Sequence, residues 1–589
     1  MTVSTFYHSD LLQYYERELS YLREQGANFA RRYPKVAARL ALYGAESLDP
    51  HTERLIESVA FLSARVHRDL DQEFPEIAYA LLDNICPSLV QPVPSMSVAQ
   101  FMLDPTQGKV TAGFRVVRHT PLHARTTQQQ ECRFRTTWDV VLWPLAVTRA
   151  GIDADGMLRV TLECTTDAGF DELEIESLRI HLRGDWMTTM PLYDVLVAGV
   201  KSLGVQPEGD VLAHLPPDAW REAGYAECED VLPQPANAQP AYGLLQEYFA
   251  FPRKFHFFDL QQLRGRLGRG RRCELVFALD LPANSLRHID ASNFQLGCTP
   301  IINLFARVSE PIVMDHRHYE YLLAPDRQRD SYPEVHSIVS VVASDPDADK
   351  PVQVPPFAAL GHIDDEGDAV FWAARREHSL RENIPGTDVF LSFVDNDKGM
   401  SRPSQPVVYA HLLCTNRRMA EQVPAGAALR AEGPPQPTVV RCLYQPTAQR
   451  DPPIGSETLW RLVSLLTLNH QSLVDGSTGR QQLREMLLLF ASNSQRDHAQ
   501  IRAITGLTAR SVTAHVGTQA WRGYCRGTQV TLNFDDEGFV GASSLMLSAV
   551  LARFFAMYTT VNSFVKLSVH LGEETRKQWP PMTGRQVVL

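Results

Sequence analysis

Six short stretches hold the residue types that do chemistry. Ser563-Phe-Val-Lys566 matches S-x-x-K, the pairing in which a lysine supports a serine nucleophile for acyl transfer, but the S-D-N and K-T-G partners that chemistry needs are absent. His316-Arg-His318 beside Asp315 sets two imidazoles next to a carboxylate, the start of a metal or acid–base site, with no second cluster to complete it. Asp153-Ala-Asp-Gly156 and the acidic runs 345–349 and 364–368 offer oxygen ligands to a hard cation. Asp153–Gly156 lacks further oxygen ligands and a glutamate at calcium-loop spacing and reads as a hairpin turn, while the two acidic runs read as solvated turns. The loop 264–272 sets five arginines among three glycines, a pattern suited to phosphate or nucleic-acid contact through guanidinium forks and backbone N–H groups. It has no G-K-[ST] and no helical run after it, so it reads as a solvated loop or as the cationic half of a subunit contact. No G-x-S-x-G, H-E-x-x-H or phosphate-loop sequence occurs. The chain is therefore expected to be no enzyme and to hold no cofactor and no metal. An uncharacterised hydrolase is the less favoured alternative, and it requires a pocket with convergent titratable groups.

Composition narrows the class further. Of 589 residues, 44% are apolar and 21% charged, an ordinary globular balance, and 57 basic against 68 acidic side chains give a net charge of −11. That acidic balance removes the global electrostatic reason to expect nucleic acid. Residues 1–10 lack the basic and apolar segments of a signal peptide. The most apolar stretch, 544–558, contains Arg553 and has the length of a core helix, so no direct membrane insertion is expected. Nine scattered cysteines, never spaced C-x-x-C, point to buried thiols in a cytoplasmic protein.

The elements that must position everything else begin at the N-terminus. Leu12, Tyr15, Leu19, Leu22, Gly26, Phe29 and Tyr33 recur every three or four residues, which puts one stripe along a helix capped by Asp10 with Gln13 and ended by Pro34. Asp49-Pro50 opens a second helix, whose stripe Leu55, Val59, Leu62, Val66 and Leu70 is expected to be buried and which Pro75 is expected to end. A third, shorter helix covers Ile77, Leu81, Leu82 and Ile85, and the proline-rich segment 87–96 follows as an extended strap.

Five separated pieces of this region carry a family resemblance. They are Tyr14-Tyr-Glu-Arg-Glu-Leu-Ser-Tyr-Leu-Arg-Glu-Gln-Gly26, Arg32-Tyr-Pro-Lys-Val-Ala37, Asp49-Pro-His-Thr-Glu-Arg-Leu-Ile-Glu57, Asp71-Gln-Glu-Phe-Pro-Glu76 and Pro92-Val-Pro-Ser-Met96. In order and spacing they resemble the opening of the TssF family, baseplate subunits of type VI secretion systems. Gly538-Phe539 before the last helix and Asn562-Ser-Phe564 after it resemble that family's C-terminus. The resemblance implies a structural subunit of a cytoplasmic baseplate docked at the inner membrane complex. It implies two copies per TssG, contacts with TssK and TssE, and a place around the VgrG spike where tube and sheath assemble. A wedge protein of a contractile phage tail has the same architecture. Tyr15, Leu19, Leu22 and Phe29 are the candidate subunit-interface residues, and an internal core role explains their stripe equally well.

Beyond residue 96 the pattern turns to short alternating strands. The fold expected is α+β and multidomain: a helical region at 1–95, β-rich domains at 96–230 and 231–425, and an α+β domain at 426–589. Proline-rich stretches at 207–240 and 423–453 are read as boundaries or surface excursions. The aromatic run 248–258 reads as packed core. Thr458 caps a helix over 459–468, and Leu483, Met486, Leu487 and Phe490 stripe the next. Gln529-Val-Thr-Leu-Asn-Phe534 is a strand, Leu547, Leu551, Phe554 and Tyr558 face one side of a helix, and Val565, Leu567, Val569 and Leu571 alternate as the final strand.

Overall fold

The computed structural model describes residues 4–37, 50–104, 111–234, 238–280, 288–314, 318–325, 333–344, 351–357, 370–379, 384–394, 407–432, 438–454, 459, 462–463, 476–492, 494–515, 523–572 and 574–585. It is α+β and multidomain, as expected. The chain opens with helix Ser4–Arg32, a single turn Pro34–Ala37 and the 36-residue helix Pro50–Ile85. Three expectations change here. Asp10 lies inside the first helix, because helical backbone already starts at Ser4. Pro75 does not end the second helix, and residues 77–85 continue it as one element. An interior proline costs about 3 kcal/mol, and a helix long enough on both sides absorbs that cost. The strap 87–96 contains one 3-10 turn, Pro87–Leu89, before it pairs at Val93 with Arg450.

Next comes a closed barrel of six strands in the order Met96–Leu103, Cys298–Ile302, Glu131–Thr136, Pro121–Arg125, Ala428–Ala431 and Thr438–Cys442. Its strands come from four distant parts of the chain. The stretch 423–453, read above as a boundary, supplies the last two. Between its first and last strands the chain makes two excursions. One builds two antiparallel sheets from 145–296; the helix Trp186–Ala198 leads from one sheet to the other, and the helix Pro240–Ala250 lies between two strands of one sheet. Asp153–Gly156 is the turn between two of those strands, and the aromatic run 248–258 is core: Tyr248, Phe249, Phe251, Phe255, Phe257 and Phe258 are all buried. The other excursion, 305–415, carries two further sheets. Arg376 ties them with hydrogen bonds to Val335 O, His336 O and Thr387 Oγ1.

The C-terminal unit follows its alternation closely. Helix Gly476–Phe490 buries Leu483, Met486, Leu487 and Phe490. Strand Tyr524–Phe534 feeds helix Ser544–Tyr558, which returns the chain to the parallel strand Phe564–Leu571; a parallel pair needs such a crossover. Two short strands, Glu574–Gln578 and Met582–Thr583, add to it, so Phe564–Leu571 is not the last. Most of the expected cap and helix at 458–468 lies outside the described residues, though Leu459 and Leu462 are buried. The Ser544–Tyr558 helix shares one core with Pro240–Ala250, where the Tyr242 and Tyr558 hydroxyls meet at 2.8 Å.

Candidate subunit interface

The two long helices run antiparallel, since Arg23 reaches Glu53 while Glu18 reaches Ser63. Arg23 Nη2 donates to Glu53 Oε1 at 2.6 Å and Ser63 Oγ donates to Glu18 Oε2 at 3.0 Å. Ala60 and Ala64, both fully buried, form the contacting face of the second helix; alanine lets two backbones approach closely. Tyr15, Leu19, Leu22 and Gly26 are half-buried on the first helix. Phe29 is 38% exposed and packs on Tyr33, itself 54% exposed, with ring centroids 5.3 Å apart.

This arrangement reverses the expectation for the second stripe. Leu55, Val59, Leu62 and Val66 are 66%, 51%, 60% and 56% exposed, because the small-residue face, not the large apolar one, closes the hairpin. Leu70 has no described side chain. The spacing four, three, four places Leu55 and Leu62 at d and Val59 and Val66 at a of two heptads. β-Branched a with leucine d is the two-stranded coiled-coil preference. Full burial of each such side chain is worth about 1.5–3 kcal/mol. Sequence periodicity found this stripe and assigned it to the wrong side; the signal for the other side was the Ala60/Ala64 spacing.

The chemical clusters do not assemble. Ser563 Oγ donates to Arg526 O at 3.0 Å, and Lys566 lies on a strand opposite Gln529. Asp153 accepts from the Arg159 Nε at 2.7 Å and from the Met157 and Asp155 amides, which hold its carboxyl below the usual carboxylate range despite the opposing cost of desolvation. Asp315, His316 and the acidic runs 345–349 and 364–368 lie outside the described residues. His318 packs edge-on against Tyr321. Among the described residues, no three His, Cys, Asp or Glu side chains converge on a common point. The nine cysteines are free thiols, and burial pushes Cys86 up to about 11 and Cys132 to about 12. The described residues that line a cleft beside helix Gln495–Arg502 are Gln495, His498, Ala499 and Arg502. No helix among the described residues is long and apolar enough to cross a membrane.

Sequence reasoning also missed a buried ion pair. Lys254 and Glu247 are fully buried against each other, and Glu247 Oε1 further accepts from Val231 N at 2.6 Å and Leu232 N at 2.8 Å. Seven residues apart on a helix and the following turn, they carry no motif.

The longest described helix of this multidomain α+β chain exposes a heptad seam, a surface of the kind that subunits of assemblies present. Residues 7–586 match the family model described as "Type VI secretion system, TssF". The chain is 32% identical over 600 residues to the type VI secretion system component TssF1 of Pseudomonas aeruginosa strain PAO1, covering 96% of this chain and 97% of that protein. This chain belongs to the TssF family of type VI secretion systems. Its fold is shared with a chain of the TssK-TssF-TssG baseplate subcomplex solved by cryo-electron microscopy, at TM-score 0.72 and 22% identity over 91% of this chain and all of that one. It is also similar to a chain of the type VI baseplate complex, at TM-score 0.59 and 23% identity over 98% of this chain and all of that one.

Proposed function

We propose that this chain is a structural, non-catalytic subunit of a type VI secretion baseplate wedge. In this reading two copies associate with one TssG, and the wedge engages TssK and TssE around the VgrG spike to support tube and sheath assembly on the cytoplasmic side of the inner membrane. Family membership supports the machine, and the exposed seam Leu55, Val59, Leu62 and Val66 is the observation that supports assembly through helices. The seam receives a partner helix. Phe29 and Tyr33 extend the same docking surface at the hairpin end, and Tyr15, Leu19 and Leu22 bridge between hairpin packing and partner contact. The test is co-purification of TssG, TssK and TssE from the same operon with the wild-type chain and with L55D/L62D. The double variant should fold as the wild type does and lose TssG. A folded variant that retains TssG at wild-type yield sinks the helical interface.

A further inference from the structure

The loop 264–272 carries five arginines. It joins strands Phe257–Leu260 and Arg272–Leu279, and its five guanidinium groups divide in two. Arg271 Nη1 donates to Asp167 Oδ1 at 3.2 Å and Arg272 Nη2 to Glu274 Oε1 at 3.2 Å. Arg264, Arg266 and Arg269, nearest the tip, have no ion pair or side-chain hydrogen bond among the described residues, and Arg264 and Arg269 are exposed. Three like charges within six residues repel each other, and a slack loop would spread them apart.

This loop is not slack. Leu263 and Leu267 are buried beneath it, and backbone bonds fasten it along its length: Leu263 N to Glu176 O at 3.1 Å, Phe170 N to Gly270 O at 3.0 Å, Cys164 N to Arg271 O at 2.9 Å. Gly268 adopts φ +79° with its α-carbon against Pro207, where a Cβ would stand 2.5 Å from the proline ring. The chain thus holds unpaired guanidinium groups on a fixed support, so a partner need not order the loop on binding.

We propose that this loop docks an acidic segment of a partner protein, with Arg264, Arg266 and Arg269 receiving its carboxylates. Arginine's planar fork matches a carboxylate with two parallel hydrogen bonds, a geometry lysine lacks. The surroundings select against a long polyphosphate or an anionic bilayer. Asp167, Asp171 and Glu172 flank the loop on the segment that Phe170 ties to Gly270, Glu208 lies against Gly270, and the whole chain carries −11. A long polyanion that runs past the patch meets these carboxylates, whereas a short acidic segment can set its own carboxylates on the three guanidinium groups alone.

The probe is a fluorescein-labelled octaglutamate peptide, followed by anisotropy with the full-length chain at about 0.1 M and about 1 M salt, where the screening length falls from about 10 Å to about 3 Å. Short duplex DNA and vesicles of phosphatidylglycerol and phosphatidylcholine serve as the rival ligands. The peptide should bind at low salt and release at high salt. R264E/R266E/R269E should weaken it by at least tenfold, about 1.4 kcal/mol. R430E/R441E/R510E, three exposed arginines with the same change of net charge, should bind as the wild type does. Equal binding by the loop variant and the wild type overturns the proposal. So does equal loss in both variants, or tighter binding of DNA or vesicles through the loop arginines.

Discussion

Leu55 and Leu62 project into solvent while Ala60 and Ala64 hold the hairpin closed, so substitutions on the two faces should separate. L55D/L62D should leave the melting temperature within about 0.5 kcal/mol equivalent of wild type, the range for exposed positions. Ala64→Leu should wedge the helices apart and cost about 1–3 kcal/mol, read as a lowered melting transition of the hairpin by circular dichroism. Lys254→Met should be costlier still, about 3–5 kcal/mol by urea unfolding, because it strands the buried Glu247 carboxylate. Asp194 gives a pH signature. Burial raises its carboxyl to about 7 against the stabilising hydrogen bond from Ser543, the cap of the last long helix. Its folded pKa lies above the unfolded value, so its contribution is fully present below about pH 4 and is lost as pH rises through 7. Asp194→Asn should therefore gain melting temperature relative to wild type between pH 5 and 8, and a constant gap across that range would contradict the assignment. At this scale the sequence showed which residues share a helix face and not where that face points. Spacing fixes the Leu55-to-Val66 stripe, but only the partner helix decides whether leucine or alanine is covered.

Elements were legible where their own periodicity defines them. The stripes of helices Gly476–Phe490 and Ser544–Tyr558, the alternation of Phe564–Leu571 and the turn at Asp153–Gly156 all form as their patterns require. Pro75 misled because the cost of an interior proline is local while the gain of a continuous helix is spread over many residues. The short strands Ala428–Ala431 and Thr438–Cys442 were hidden in proline- and glycine-rich sequence, since pairing partners far away supply the stability their own residues lack. The loop 264–272 makes a prediction at this scale. Gly268→Ala forces a Cβ into the left-handed region and against Pro207, and should cost more than Gly265→Ala, whose φ is +71° but whose surroundings are open. Strain of this kind is worth about 1–3 kcal/mol. Thermal melts of both variants decide it, and an equal loss would mean that the contact with Pro207 yields freely.

At the scale of the whole molecule, the barrel draws strands from 96–103, 121–136, 298–302 and 428–442 around its own cluster, while another hydrophobic cluster gathers residues from Leu82 to Trp579. Long-range closure of this kind leaves no local mark in a sequence, so sheet membership was out of reach of composition shifts and proline-rich stretches. The family, by contrast, was legible in five short pieces of the first hundred residues, because subunit-specific sequence is denser there than any periodicity. That same region carries the exposed seam. A helical seam left exposed beside buried cores suits a part that is completed by its neighbours.

Native mass spectrometry of the chain co-expressed with TssG, TssK and TssE from its own operon tests the central claim most directly. A complex with two copies of this chain per TssG, lost in L55D/L62D while the free variant stays folded, is the expected result. A monomer that ignores all three partners would contradict it.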